Sequence, residues 1–385
     1  MSTAAATARR MLEHTGEHPV VSLFLDLNPS EFGTIPARAS QMRSLLDAAE
    51  RDSHGARESL SHADRTALAA DLQRLEEYLG SDEPPVSGAR ALAVFCSGQD
   101  DLFETVALPD PTPPRAVIAT TPFVEPLVAG PGDERTAVAL VSRRFGRILV
   151  GDPHDLREAE DVADDVHGQH SRGGWSQANY ERSIDHDAEQ HLRHVAQELY
   201  RNWQREPFGR LVLGGPTEDV RRFSEDLHND LRPALMQESL DVDVETASLA
   251  EVGAALAPLL ARAHAAERER ALEELENRLG AGRSAARGLE ATLEALAEAR
   301  VETLLLALNF SASGTRCPRC GLLYPEGTDA CPADGGAVEP VPDLREAAVE
   351  AAVLQDAGVM VIGEGSEPDP PALHRGGGIA ALLRF

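Results

Sequence analysis

The chain contains no lysine: all 36 basic side chains are arginine, set against 64 carboxylates, for a formal net charge of −28 over 385 residues. That balance excludes generic affinity for DNA and for anionic membranes, because a polyanion is repelled by the mean field of the molecule. Only a local basic site could meet a nucleic acid. Aromatic residues are few, 4% in all with two tryptophans. No apolar run approaches the length of a membrane span. The first ten residues lack the apolar core of a secretory signal, so none is expected. Cysteine is equally scarce, four residues of which three are clustered. That is no disulfide framework, and a cytoplasmic protein is expected.

The remaining composition, 42% hydrophobic and 26% charged, is that of a globular protein too long for one core. An α/β fold of three domains is expected, with residues 1–128, 129–248 and 249–385 as its parts. Val20 to Leu27 and Ala91 to Cys96 read as buried strands, with helical patterns at about 36–51 and 57–80 between them and short strands near 102–107 and 115–128. The Gly130-Pro131-Gly132 stretch marks a linker. Thr136–Val141 and Phe145–Gly151 predict a hairpin or a pair of adjacent strands, a helix follows from about 184 to 204, and Arg210–Gly214 is a further strand. That alternation predicts a parallel or mixed sheet with helices on its faces. A helical region from Leu249 to about Ala299, broken at Gly280-Ala281-Gly282, leads to a core strand at 301–308. An Ala-rich helix at 344–356 and strands at 359–362 and 378–385 close the chain.

The most informative segment is His170-Ser171-Arg172-Gly173-Gly174-Trp175-Ser176-Gln177, ahead of the 184–204 helix. Two glycines let backbone press against another molecule. The Gln177 amide can donate and accept at once, which suits placing a water beside an ester. The bland alternative is a surface loop, where such residues are common. Five histidines, both tryptophans and five arginines against five acids fall between 167 and 205, a neutral island in an acidic chain. Arg182, Arg193 and Arg201 recur at intervals close to whole helical turns, so a basic stripe is expected there, reaching back to Arg172. Ordinary mixing of charges on a solvated helix face is the competing reading. The pairs His167/His170 and His191/His194 have metal-like spacing, but no acidic partner sits where a His-Glu-x-x-His helix needs one.

Cys317-Pro318-Arg319-Cys320-Gly321 has the form of a metal knuckle, and Cys331-Pro332-Ala333-Asp334-Gly335 repeats its shape with Asp334 in place of a fourth cysteine. Cys317, Cys320, Cys331 and Asp334 can complete a tetrahedral Zn2+ site, carboxylate oxygen being an accepted ligand. A decayed ribbon kept for its turns is the alternative. With no base nearby in sequence, the site reads as structural.

Taken together, the order of parts resembles the archaeal and eukaryotic class-1 peptide-chain release factors and Pelota, in a divergent bacterial branch. The loop looks closest to the Vms-like peptidyl-tRNA hydrolases, whose Gly-Gly-x-Ser-Gln pattern and following arginine are matched by Gly173, Gly174, Ser176, Gln177 and Arg182. The resemblance implies three α/β domains in a release-factor-like arrangement, the third carrying a zinc-ribbon insertion at 309–342. It implies a ribosomal partner, with rRNA and peptidyl-tRNA as contacts and a translational GTPase as a candidate for delivery. Gln177 would orient a water on the peptidyl-tRNA ester, supported by Gly173, Gly174 and Ser176. Arg172, Trp175, Arg182, Arg193 and Arg201 would meet RNA. The chain departs from the release factors in splitting Gly-Gly-Gln by Trp175-Ser176. It also has no Asn-Ile-Lys-Ser element, so stop-codon decoding is not expected. A peptidyl-tRNA hydrolase that rescues stalled ribosomes is the expected function. The alternative is a non-catalytic hibernation factor filling the A site and the peptidyl-transferase centre.

Overall fold

The structure, a computed structural model, describes residues 3–13, 18–28, 34–52, 60–81, 89–108, 111–129, 135–163, 177–282, 284–363, 373 and 375–385. The chain divides into two compact units. One is formed by Met1–Asp133 with His264–Phe385, the other by Glu134–Ala263. Both are α/β, as the sequence predicts.

The first unit holds two main sheets. Strands β1 (Val20–Asp26), β2 (Ala91–Ser97), β3 (Leu102–Leu108) and β4 (Arg115–Ala119) form an antiparallel sheet in the order β3-β2-β1-β4. β1 and β2 are buried almost throughout, which explains their unbroken apolar sequence. One face, with Leu23, Leu25, Leu92 and Val94, is covered by helices α2 (Ile35–Asp52) and α3 (His62–Leu79). α3 starts five residues later than its pattern suggests, where Ser61 and Asp64 form a capping box. The strand expected over 115–128 stops at Ala119. Pro122 lacks the N–H a ladder needs, and Glu125–Val128 turns into the short helix α4.

The opposite face, with Phe24, Ala93 and Phe95, joins a core shared with the end of the chain. Phe24 makes edge-on contacts with Phe95 and Phe123, each at 5.8 Å. Helix α1 (Thr3–Glu13) contributes Ala4, Ala8 and Met11 to that core. The C-terminal sheet is formed by β9 (Ala285–Arg287), β10 (Val301–Ala307), β14 (Gly358–Ile362) and β15 (Ile379–Leu383), in the order β14-β10-β15-β9. β10 is parallel to β14 and antiparallel to β15. Helix α8 (Leu289–Ala297) and helix α9 (Leu344–Leu354) pack on it. Between β10 and α9 lies a three-stranded ribbon of β11 (Gly314–Arg316), β12 (Leu323–Pro325) and β13 (Glu339–Val341).

The two ends of this unit are joined by a polar seam on α9. Arg345 forms a two-pronged pair with Glu125, 2.7 Å on each prong, and donates to the carbonyls of Ala307 and Phe310. Glu346 accepts from the Val124 N–H at 2.7 Å, and Glu350 accepts from the Thr121 hydroxyl at 2.7 Å. Burial pushes the Glu346 carboxyl well above the usual carboxylate range. The Val124 N–H opposes this, and Glu350, Glu125 and Asp343 push it further up. The folded state therefore holds a proton that an unfolded glutamate releases near pH 4.3. The stability this adds is fully present below that pH and is lost as pH rises toward the folded-state value. Glu346→Gln removes the linkage. Relative to wild type, its Tm is expected to gain roughly 2–6 °C at pH 8 and little at pH 5, read by thermal melts. An equal difference at both pH values would contradict the assignment.

The second unit is built on a mixed sheet of β5 (Thr136–Val141), β6 (Phe145–Gly151), β7 (Arg157–Ala163) and β8 (Arg210–Gly214), in the order β7-β6-β5-β8. β5 and β6 form the expected hairpin, and β5 runs parallel to β8. Period-two alternation splits β5 between two cores. Ala137, Ala139 and Val141 face α5 (Gln177–Arg205) and α6 (Thr217–Asp226), whereas Val138 and Leu140 face α7 (Leu249–Gly280). Gly146 lets α5 approach, since a Cβ there would stand 2.3 Å from a Val195 methyl. The helical region expected to reach Ala299 ends at Gly280, and β9 intervenes before α8. The unit boundary at Ala263 and His264 falls inside α7. No helix among the described residues is long and apolar enough to cross a membrane.

Candidate functional site

β7 ends at Ala163 and α5 begins at Gln177, so residues 164–176 lie in sequence between a strand and a 29-residue helix. Arg172, Gly173, Gly174, Trp175 and Ser176, with His167 and His170, lie outside the described residues. The side chains of Gln177 and Arg182 do too, although their backbone is the start of α5. The helix thus starts seven residues before the expected 184. Tyr180, Ile184, Ala188 and Leu192 recur every four residues, a spacing that carries the pattern back into the polar stretch. Gln177 is a helix-initiating residue rather than a loop residue.

Further along α5 the inward positions are Ala188, Leu192, Val195, Ala196 and Leu199. Arg193 is exposed and stands 3.7 Å from both Glu189 and Asp226. Arg201 pairs with Glu198. Arg193 and Arg201, the two arginines of the expected stripe whose side chains are described, therefore already have acidic partners. Arg143, in the β5–β6 turn, reaches Asp185 at 3.3 Å and the buried Asp219 at 3.9 Å. Burial pushes the Asp219 carboxyl up, against the pull of Arg143 and Arg222. His191 is buried, whereas His194 is exposed beside Glu198, so this pair does not converge on one point. Trp203 is half-buried and stacks on Tyr200 at 5.9 Å, and Tyr200 stacks on His228 at 3.9 Å. Nothing in the residue spacing signals that last stack, because His228 arrives from beyond α6.

The ribbon carries the one group of metal-ligating side chains found among the described residues. Its two knuckles have the same backbone pattern. The Gly321 N–H donates to the Cys317 carbonyl at 2.8 Å, and the Gly335 N–H donates to the Cys331 carbonyl at 2.8 Å. Cys317 N–H donates to Leu322, and Cys331 N–H donates to Gly336. Gly321 and Gly335 have φ of 75° and 71°, the left-handed conformation that favours glycine. Asp334 consequently stands in the second knuckle where Cys320 stands in the first. All four ligand atoms lie within 4.8 Å of one another. Cys320 Sγ is 3.6 Å from Cys331 Sγ, and Cys317 Sγ is 3.6 and 3.8 Å from the Asp334 oxygens. A tetrahedral ion with sulfur at about 2.3 Å and oxygen at about 2.1 Å has edges of about 3.6–3.8 Å, so the residues fit a metal ion.

Neighbouring groups prepare the ligands. The Tyr324 hydroxyl, 3.2 Å from Cys331 Sγ, holds that thiol below its usual range. The Gly336 N–H, 2.8 Å from Asp334, does the same for the carboxylate, with help from Arg319 at 3.6 Å. Both favour the deprotonated forms that bind metal. Sequence spacing gives the four ligands. It gives no sign of Tyr324.

No curated protein matches the chain. Solved structures to which it is similar include the archaeal translation termination factor aRF1, at 18% identity over 99% of this chain and 98% of that one, with a TM-score of 0.25. A second is archaeal Pelota in a ribosome-bound model with ABCE1, at 17% identity over 77% of each chain and a TM-score of 0.44. A third is S. cerevisiae Dom34, a translation termination-like factor, at 11% identity over 77% of this chain and 79% of that one, with a TM-score of 0.43. At the level of sequence families, residues 122–268, which span the second unit with its loop and α5, match the bacterial archaeo-eukaryotic release factor family 10, in keeping with the release-factor resemblance of the sequence.

Proposed function

We propose that this protein is a ribosome-associated, release-factor-like peptidyl-tRNA hydrolase that frees nascent peptides from stalled complexes. The observation that carries the reading is the coincidence of the family match over 122–268 with a Gly-Gly pair, Gly173-Gly174, placed three residues in sequence before a helix that begins at Gln177. The loop follows the Vms-like pattern Gly173-Gly174-x-Ser176-Gln177. The first N–H groups of a helix lack intrahelical acceptors and lie at the positive end of its dipole. At Gln177 such a group suits the oxyanion of an ester under attack, while the side-chain amide orients the water. The water oxygen bonds to the ester carbonyl carbon, the tetrahedral adduct collapses, and the tRNA 3′ oxygen leaves with a proton. The two glycines permit the close approach, and positioning supplies most of the rate.

Arg172, Arg182, Arg193 and Arg201, with Trp175, meet rRNA and the tRNA end. Because Arg193 and Arg201 already have acidic partners, binding falls only modestly with salt. A translational GTPase as delivery partner, and a cytoplasmic location, belong to the same reading. The deciding experiment adds the protein to stalled ribosomes bearing labelled peptidyl-tRNA. Release of free peptide is expected. Co-sedimentation with ribosomes without release would instead identify a hibernation factor, and failure to co-sediment would overturn both.

In the ribbon, Cys317, Cys320, Cys331 and Asp334 hold one structural zinc. Metal analysis of purified protein is expected to give one zinc per chain. Asp334→Cys should retain it longer against a chelator, since thiolate suits zinc better than carboxylate in a closed site. Protein that neither carries nor takes up zinc refutes the assignment.

A further inference from the structure

The first knuckle is wired to the polar seam between the two ends of the first unit. β11 runs into Cys317 without an intervening residue, and its last side chain, Arg316, donates to Glu350 at 2.6 Å. Glu350 is 9% exposed and is the same carboxylate that receives the Thr121 hydroxyl. A turn earlier on α9, Glu346 receives the Val124 N–H, and beside it Arg345 grips Glu125. Three acidic side chains, Glu125, Glu346 and Glu350, therefore converge on this seam. The helix supplies one arginine for Glu125. The cation for Glu350 comes from the ribbon.

The ribbon cannot hold Arg316 in place by its own core. Its strands are three residues long, and of its buried side chains Cys317 and Cys331 are metal-ligating while Leu323 packs into the core of the unit. A domain of that size folds on its metal. At the same time its base is pressed onto α9. A Cβ on Gly314 would lie 2.4 Å from the Tyr324 carbonyl and 2.9 Å from a Leu344 methyl. Arg316 and Cys317 are consecutive residues, so the position of the knuckle bears directly on that of Arg316.

We propose that the Cys317–Cys320–Cys331–Asp334 ribbon is a metal-dependent latch: occupied, it fixes Arg316 on Glu350 and so keeps the Thr121–Val124 segment docked on α9. When the ion leaves, Cys317 loses its constraint and Arg316 loses its fixed position. Glu350 then becomes a buried carboxylate without its cation, which is costly. The segment that donates to Glu350 and Glu346 loosens, while the strands of both sheets stay paired. The inference rests on metal occupancy of the ribbon and is independent of the ribosomal reading.

The test uses the full chain in zinc-loaded, chelator-stripped and zinc-restored forms. Metal content is measured alongside amide hydrogen exchange. Exchange across 121–128 is expected to speed up on the order of tenfold on stripping, the equivalent of one lost hydrogen bond to a charged group, and to recover with zinc. Peptides from β1, β10 and α5 should not change. Arg316→Met, loaded with zinc, should already show the faster exchange and respond no further to stripping. Glu350→Gln, which keeps an acceptor for Thr121 but needs no cation, should make 121–128 insensitive to metal, and it serves if Arg316→Met does not fold. Verified loss of the ion with unchanged exchange at 121–128 sinks the latch, as does loosening of β1 and β10 along with it. Protein that never binds zinc fails earlier, at the metal measurement, and takes the latch with it.

Discussion

Gln177→Ala is expected to lower peptide release from stalled ribosomes by on the order of 10²-fold or more: the side-chain amide that orients the water is lost while the backbone N–H stays, a loss comparable to that of one preorganised donor. Two features of the chain make the expectation specific. Gln177 is the first residue of α5, so its backbone is set by a 29-residue helix anchored through Leu192, Val195, Ala196 and Leu199. Alanine is a good helix former and should leave that start in place. Ribosome co-sedimentation should therefore change little, and the defect should appear in the release rate at saturating protein. Equal release by wild type and variant would remove Gln177 from the chemistry and leave the plugging role standing.

Arg345→Ala is the second change with a large expected effect. The Arg345 and Glu125 side chains are 12% and 15% exposed, and the guanidinium also serves the Ala307 and Phe310 carbonyls. Truncation leaves the Glu125 carboxylate without its cation and takes a donor from the Ala307, Leu308 and Phe310 carbonyls. Breaking one partner of a buried pair costs about 3–5 kcal/mol, which lowers Tm by roughly 6–20 °C in a unit of this size. Arg345→Met combined with Glu125→Leu should recover much of that loss, because the penalty lies in the unpaired charge. A single variant that melts within a degree or two of wild type would show that the seam contributes little to holding the unit together.

Much of the fold is legible in the sequence. β1, β2, β5 and β10 are largely apolar runs whose burial is written in their composition, and α9 is an Ala-rich helix, buried on most of its surface, that opens on Asp343 as its N-cap. The metal ligands are legible because a knuckle is local: the thiol, the turn glycine and the residue three positions on are fixed by a few backbone dihedrals. The start of α5 is harder to read, since its first turns are polar and only a four-residue recurrence of Tyr180, Ile184, Ala188 and Leu192 betrays them. Helical spacing also brings Arg182 and Arg193 to one face, but it cannot show that Asp226, from α6, reaches Arg193.

By itself the sequence determined the α/β class, the hairpin of β5 and β6, the position of the Gly-Gly loop ahead of a helix, and the four candidate metal ligands. All of these depend on residues a few positions apart, where periodicity and turn chemistry act. Only the tertiary structure decided that the first and last parts of the chain share a core around Phe24, Phe95 and Phe123, and that Glu125 meets Arg345 across more than two hundred residues. It also decided that Arg316 leaves the ribbon to neutralise Glu350. The physical reason is that burial and charge neutralisation are settled by what arrives from the other end of the chain. A carboxylate such as Glu346 looks like any solvated glutamate until the N–H of Val124 and the surrounding apolar side chains close over it.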